Sequence, residues 1–72
     1  MKSWVHKEGH AGQEVKRIQK SLSLKQDGVF GPITKQAVQE FQNLHNLQID
    51  GEVGQETRRE MEIEIYAGID VS

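Results

Sequence analysis

The chain has 72 residues, with 9 basic and 11 acidic side chains, a net charge of −2 and no cysteine. This length allows one domain with a thin core, because so small a domain buries only about 60% of the surface that its unfolded chain exposes. Without cysteine there is no disulfide, and no thiolate for zinc or for nucleophilic attack. The balanced charge gives no field that attracts nucleic acid or an anionic membrane, so we expect neither as a partner.

The sequence carries no pattern of membrane insertion or secretion. No apolar run approaches the roughly 20 residues that a helix needs to span a bilayer. Residues 1–10 lack the apolar stretch of a signal peptide. We therefore expect that this chain does not encode an export route of its own.

An irregular lead-in with two glycines is predicted over residues 1–12. The first helix is predicted over residues 13–22, where Val15, Ile18 and Leu22 recur three and four residues apart on one face. The second is predicted over residues 32–45, because proline suits the first position of a helix. Its predicted apolar stripe, with Phe41 as the largest core residue, contains Ile33, Ala37, Val38, Phe41 and Leu44.

A third helix is predicted from Gln55 or Glu56 to about residue 63. Its end is ambiguous, since Met61, Ile63 and Ile65 alternate with glutamates at the period of a strand. Glutamate and methionine favour helix, so both structures stay open for residues 61–66.

An internal repeat joins these segments. Residues 24–34 align with residues 47–57, and both copies have Asp-Gly, a second glycine and a threonine at matching places. The first glycine suits a turn, the second a tight entry into the next helix, and the threonine can hydrogen-bond back into the loop. Phe30 and Val53 precede the second glycine and should enter the core. The predicted fold is all-α, a compact three-helix bundle with two Asp-Gly loop-helix repeats.

At these residues the sequence resembles the bacterial peptidoglycan-binding domain, the three-helix module attached to many cell-wall hydrolases and phage endolysins. The resemblance covers about residues 9–61 and is carried by Gly9, Gly12, Val15, Ile18, Gln19, Leu22, Asp27, Gly28, Val29, Phe30, Gly31, Pro32, Thr34, Ala37, Val38, Phe41, Gln42, Leu47, Asp50, Gly51, Val53, Gly54 and Thr57. Two ordered copies make this pattern far more specific than a short motif.

The resemblance implies a domain over residues 9–65, with a lead-in over residues 1–8 and a tail or linker over residues 66–72. It implies a non-catalytic monomer without a cofactor, which binds peptidoglycan at the bacterial cell wall or outside the cell. Its role would be to target a linked or associated hydrolase, such as a lysozyme or an amidase, to the wall. A phage endolysin is one such parent, and a protein-interaction or pro-segment-like module of the same fold is the alternative function.

The resemblance also implies a ligand groove beside the two matched loops. The candidate site residues are Asp27, Gly28, Phe30, Gly31, Thr34, Gln42, Asp50, Gly51 and Thr57. A structural role explains each of them as well, because turn-forming residues need no ligand. Gln42 is the best candidate contact, since an amide pairs with stem-peptide amides and N-acetyl groups. We expect Gln42→Ala to fold and bind walls weakly, and Gly31→Val to unfold the domain.

Other possible sites are weaker. His6 and His10 are four residues apart, but their glycine-flanked segment favours solvated or structural histidines over a metal site. Trp4 and Tyr66 could stack on sugar rings or pack on the core. For Arg58 and Arg59, a solvated helix face is favoured over a contact with stem-peptide carboxylates. We predict no catalytic residue, because so short a chain hardly forms a cleft between two carboxylates.

The tail is similar to the opening strand of lysozymes of glycoside hydrolase family 25, which begin with Gly-Ile-Asp-Val-Ser. This sequence has the same five residues at 68–72. If the similarity reflects kinship, Asp70 is an isolated piece of a catalytic barrel. Five residues can also match by chance.

Overall fold

The computed structural model describes residues 5–62, in which three helices are joined by two loops. Helix α1 spans Gln13–Ser21, α2 spans Pro32–Leu44 and α3 spans Gln55–Met61. The predicted all-α three-helix fold is confirmed, and each helix begins where it was predicted. Within residues 5–62, no helix combines the length and the apolar character that crossing a membrane would need.

The end of α3 decides part of the ambiguity that the sequence left. Met61 is helical, and Glu62 takes a left-handed conformation with φ 59°, which closes the helix. Several other predictions concern residues outside the described range. They are the alternation of isoleucine and glutamate after Glu62, the roles of Trp4 and Tyr66, and the tail at 68–72.

Residues 5–12 are less irregular than predicted, because they run along both loops. Two isolated antiparallel bridges join His6 to Val53 and Ala11 to Val29. In the first bridge the His6 N–H donates to the Val53 carbonyl at 3.1 Å, and the reverse hydrogen bond measures 2.8 Å. The Phe30 N–H donates to the His10 carbonyl at 2.9 Å. These bonds satisfy loop backbone groups that have no partner within a helix.

Within residues 5–62, six buried apolar side chains form the core: Val15, Ile18, Phe30, Val38, Val53 and Met61. Phe30 and Val53 enter it from the loops, as predicted. The largest buried apolar side chain of the described residues is Phe30, which is 1% exposed, so the prediction of Phe41 in α2 as the largest core residue was wrong. Phe41 is only partly buried and stacks on His45, with ring centroids 4.1 Å apart.

Helix α2 turns a different face to the core from the one that its apolar stripe predicted. Its buried residues are Thr34, Val38 and Gln42. Ile33 and Leu44 are 75% and 78% exposed, which corrects their placement in the core. Thr34 and Gln42 are polar but can face inward, because each has a hydrogen-bond partner there. The predicted apolar stripe is therefore rotated toward solvent.

The two repeat copies have closely matching backbones. Each helix before a loop is followed by a left-handed residue, Ser23 with φ 61° and Asn46 with φ 57°. The Asp-Gly glycines, Gly28 and Gly51, have φ 78° and 74°. The second glycines are the N-caps of α2 and α3 in extended conformations. The left-handed turn therefore depends on the first glycine of each copy, and the second supplies the predicted helix entry.

We expect Gly28→Ala to lower the free energy of unfolding by about 1–2 kcal/mol, because a side chain is strained at its positive φ. Its Cβ would also lie 3.2 Å from the Lys16 Cε. Gly31 has φ −107°, and a Cβ there meets nothing within 4 Å. Gly31→Ala should therefore cost less, up to about 1 kcal/mol for a poorer N-cap.

Urea denaturation of the two alanine variants measures this difference. Equal losses at both positions would contradict the assignment of the strained turn to Gly28. The expectation that Gly31→Val unfolds the domain loses its physical basis, because neither the conformation of Gly31 nor its surroundings exclude a side chain.

Candidate functional site

A buried glutamine organises the first loop. The Gln19 Nε2 atom lies 2.9 Å from Asp27 Oδ1, 3.0 Å from the Val29 carbonyl and 3.1 Å from Thr34 Oγ1. Its Oε1 accepts the Gly28 N–H at 2.9 Å. Gln19 is 2% exposed, so its amide replaces water for the polar groups inside the loop.

Gln42 repeats this arrangement in the second loop. Its Nε2 lies 2.9 Å from Asp50 Oδ1, 2.9 Å from the Glu52 carbonyl and 3.1 Å from Thr57 Oγ1. Its Oε1 accepts the Gly51 N–H at 3.0 Å and the Asp50 N–H at 3.1 Å. Gln42 is 1% exposed, and its donor and acceptor atoms are already engaged within the loop. The geometry therefore favours a structural role for the residue that was the best candidate contact.

The two aspartates close the same turns from the solvent side. Asp27 Oδ1 also accepts the Val29 N–H at 3.0 Å, and Asp50 Oδ1 accepts the Glu52 N–H at 2.9 Å. The Val29 N–H, and after it the Gln19 amide, hold the pKa of Asp27 below its ordinary value because both stabilise the carboxylate. Asp27 thus stays ionised to a lower pH than an ordinary aspartate.

The nine predicted site residues separate by burial. Asp27 and Asp50 are exposed, and Gly31 is partly buried. The other six are buried: Gly28, Phe30, Thr34, Gln42, Gly51 and Thr57. The structure brings the nine together as two loop networks, with Phe30 in the core. Ligand contact by any of them stays a prediction, and burial favours a structural role for the six.

Two clefts related by the repeat adjoin these networks and share some of their residues. The first cleft, of about 320 Å³, is lined by Gln19, Leu24, Lys25, Asp27, Val29, Gly31, Pro32, Ile33 and Thr34. The second cleft, of about 220 Å³, is lined by Leu47, Gln48, Asp50, Glu52, Gly54, Gln55, Glu56 and Thr57. Each residue that lines the second cleft is the repeat equivalent of one that lines the first, and Gln19 is the one lining residue of the first cleft without such a counterpart. Lys25, Val29, Pro32 and Ile33 line the first cleft but were not among the predicted site residues. The difference between the two copies at these positions was the available signal for them.

A family model described as "Putative peptidoglycan binding domain" matches residues 11–61. The chain belongs to this family. The match covers both loop networks and all three helices, so the predicted resemblance is confirmed. A search of curated protein sequences finds no significant match.

Solved structures agree with this assignment of a peptidoglycan-binding domain. A fused zinc-dependent amidase, peptidase and peptidoglycan-binding domain-containing protein from Clostridium acetobutylicum ATCC 824 is 39% identical with a TM-score of 0.82, and the match covers 86% of this chain and 30% of that one. The SleB N-terminal domain is 32% identical with a TM-score of 0.79, over 82% of this chain and 89% of that one.

A peptidoglycan-binding protein from Clostridioides difficile, solved in complex with glutamine hydroxamate, is 33% identical with a TM-score of 0.78. That match covers 81% of this chain and 40% of the other. The domain thus spans less than a third of the clostridial amidase and less than half of the protein from C. difficile. These proteins carry the same domain as one part of a longer chain.

Two titratable side chains of the peptidoglycan-binding domain are buried. Arg58 is 6% exposed, which corrects its placement on a solvated face, whereas Arg59 is exposed. His6 is 8% exposed, and its ring meets that of His10 edge to face at 5.9 Å. Within residues 5–62, no group of three or more histidine, cysteine or acidic side chains could hold a metal ion.

We expect the domain to lose stability as the pH falls from 8 to 5, because His6 takes up a proton more readily in the unfolded chain than inside the fold. Burial lowers the pKa of His6 below 6.5, as do His10 and Arg58, while Glu14 acts in the opposite direction. Its Nδ1 is buried without a hydrogen-bond partner in the described structure. The unfolded chain thus binds more protons, so stability is full above pH 6.5 and declines below it.

Thermal denaturation at several pH values tests this expectation. His6→Leu should reduce the loss of stability between pH 8 and pH 5. His45→Gln is the matched control, because His45 is exposed and lies 3.5 Å from Glu60. An unchanged pH dependence in His6→Leu would exclude His6 as the cause.

Proposed function

We propose that this domain is a non-catalytic module that binds peptidoglycan and holds a linked or associated wall hydrolase at its substrate. The family membership of residues 11–61 is the observation that carries the proposal. The surface adds support, because two clefts flank loops that are held by their own hydrogen bonds. A preorganised surface loses little conformational entropy when a ligand binds.

The targeting role follows from the size of the domain and from its neighbours. The match to the clostridial amidase covers 30% of that chain, which leaves room there for the amidase that its description names. A linked binding module raises the effective concentration of a catalytic domain at its substrate even when its own binding is weak and reversible. We therefore propose a parent hydrolase for this domain, and the tail at 68–72 makes a phage endolysin with a lysozyme domain one candidate.

The net charge of the domain favours the wall as its partner over nucleic acid or a membrane. The net charge of −2 favours neither nucleic acid nor an anionic membrane. We propose that the domain acts as a monomer, at the bacterial cell wall or outside the cell. Its buried glutamines, threonines and aspartate turns serve the fold, which leaves the exposed rims of the clefts for ligand contact.

Co-sedimentation with washed peptidoglycan sacculi tests the proposal. The purified 72-residue chain is incubated with sacculi of several wall types, with cellulose and chitin as control polymers. We expect retention on sacculi and no retention on the controls. Absence of retention by a chain that circular dichroism shows to be folded would overturn the proposal, and would favour a protein-interaction module of the same fold.

A further inference from the structure

The two clefts share part of their lining and differ in the residues at their rims. Both copies of the repeat place a leucine, an aspartate, a glycine and a threonine at equivalent positions of the lining. Four rim positions differ, with Lys25, Val29, Pro32 and Ile33 in the first cleft and Gln48, Glu52, Gln55 and Glu56 in the second. Because the loop networks form equally well in both copies, the turn geometry does not dictate the chemistry of either rim.

The rim of the first cleft is apolar and carries one basic residue. Val29 is 54% exposed and Ile33 is 75% exposed, although the core of this small domain has few apolar side chains. When a ligand covers exposed apolar residues at a concave surface, the removal of their surface from water favours binding. Lys25 adds a positive charge beside them, and the neighbouring Asp27 carboxylate, which accepts hydrogen bonds from the Gln19 amide and the Val29 N–H, adds a negative one.

The rim of the second cleft has the opposite character. Asp50, Glu52 and Glu56 bring three carboxylates to it, and the described lining contains no basic side chain. Glutamates occupy the places of both exposed apolar residues of the first cleft. An anionic ligand would be repelled here, and an apolar one would displace water from charged groups.

We infer that the first cleft alone binds the wall and that its occupant is the stem peptide, a short chain that contains alanine, glutamate and a diamino acid and that ends in a free carboxylate. This inference rests on the proposed function. Alanine methyl groups pack against Val29 and Ile33, and a carboxylate of the peptide pairs with Lys25. The second cleft has the same leucine, aspartate, glycine and threonine in its lining, but its glutamates repel a carboxylate and offer no apolar surface to the methyl groups. The domain therefore binds one stem peptide and not two.

Exchange of rim residues between the clefts tests this inference. Val29→Glu with Ile33→Glu gives the first cleft the glutamates of the second, and Glu52→Val with Glu56→Ile is the reverse exchange. The probe is a soluble, uncross-linked disaccharide tetrapeptide released from sacculi, titrated calorimetrically. We expect the first exchange to weaken binding about tenfold or more. The reverse exchange should leave the first site and its affinity intact.

Lys25→Gln, which copies Gln48, tests the charge pairing. It should weaken binding of the tetrapeptide about threefold, as expected for a partly exposed ion pair, and the effect should shrink at high salt. The same probe with its carboxylates converted to amides should bind the parent and the variant equally. An equal loss for both probes would overturn the pairing with Lys25.

The outcomes separate this inference from the proposed function. Retention on sacculi with equal affinity for glycan stripped of peptide would overturn the stem-peptide assignment and leave wall binding intact. Unchanged binding after the first exchange, or a second stem peptide bound by the parent chain, would overturn the assignment to one cleft. Thermal denaturation of every variant shows whether it is folded.

Discussion

Gln19→Ala and Gln42→Ala should each lower the free energy of unfolding by about 3 kcal/mol. Each substitution removes an amide that is at most 2% exposed and that contacts a carboxylate, a carbonyl, a hydroxyl and a glycine N–H. A net contribution of about 1 kcal/mol for each hydrogen bond, together with the cost of buried groups left without partners, gives this magnitude. Small domains are stable by only about 5–15 kcal/mol, so the loss is a large fraction of the total.

Urea denaturation followed by far-ultraviolet circular dichroism measures this effect. Gln36→Ala is the matched control, because Gln36 is exposed on the same helix as Gln42. Gln42→Glu separates hydrogen bonding from packing, since it keeps the size of the side chain but replaces the Nε2 donor with an oxygen facing Asp50 Oδ1. Losses below about 1 kcal/mol in both alanine variants would show that the networks do not hold the loops.

The expected result changes the meaning of a binding experiment at Gln42. The sequence suggested that Gln42→Ala would fold normally and bind walls weakly. The hydrogen bonds of Gln42 now predict that any loss of wall binding accompanies a loss of folded protein. Binding by this variant is informative only at a temperature where it is fully folded.

Much of the fold could be predicted because its local signals agree. Pro32 marked the start of α2, where it takes the first helical position. The Asp-Gly pairs marked both turns, since glycine alone adopts positive φ at little cost. Phe30 and Val53 were placed in the core from their position before the second glycine, and both are buried.

The rest could not be predicted because apolar periodicity does not detect buried polar groups. Gln19 and Gln42 look like surface residues in the sequence, and their burial depends on partners 8 to 15 residues away. The same limit explains the error at Ile33 and Leu44, since Thr34 and Gln42 occupy the core face of α2. Both glutamines recur at the spacing of the repeat, which was the available signal.

The candidate site residues lie in the two loop networks, most of them on the buried side, and their contact with a ligand stays a prediction. Residue types that recur in both copies maintain the turns, and most of them are buried. The clefts take their chemical character from positions that differ between the copies, such as Val29 and Glu52. In a repeat, shared residues indicate structure, and divergent exposed residues indicate where the copies have separate roles.

Phe30→Ala should reduce mainly the stability of the domain and Val29→Ala mainly its wall binding, although the two residues are adjacent. Phe30 is 1% exposed in the core, and truncation of a buried phenylalanine costs about 3–5 kcal/mol. Val29 is 54% exposed at the first cleft, so its truncation should change the free energy of unfolding by less than about 0.5 kcal/mol. We expect Phe30→Ala to be largely unfolded, and Val29→Ala to be folded but to bind sacculi more weakly.

Phe30→Leu distinguishes a core residue from a ligand contact. A leucine fills most of the phenylalanine volume, so this variant should keep most of the stability and, if Phe30 is only structural, all of the wall binding. Denaturation and co-sedimentation are measured on the same preparations. A Phe30→Leu domain that is fully folded but no longer retained on sacculi would show that Phe30 contributes to wall binding. Full retention, together with the weaker binding of Val29→Ala, would place the ligand on the outer side of the loop, because alternate residues there face the core and the cleft.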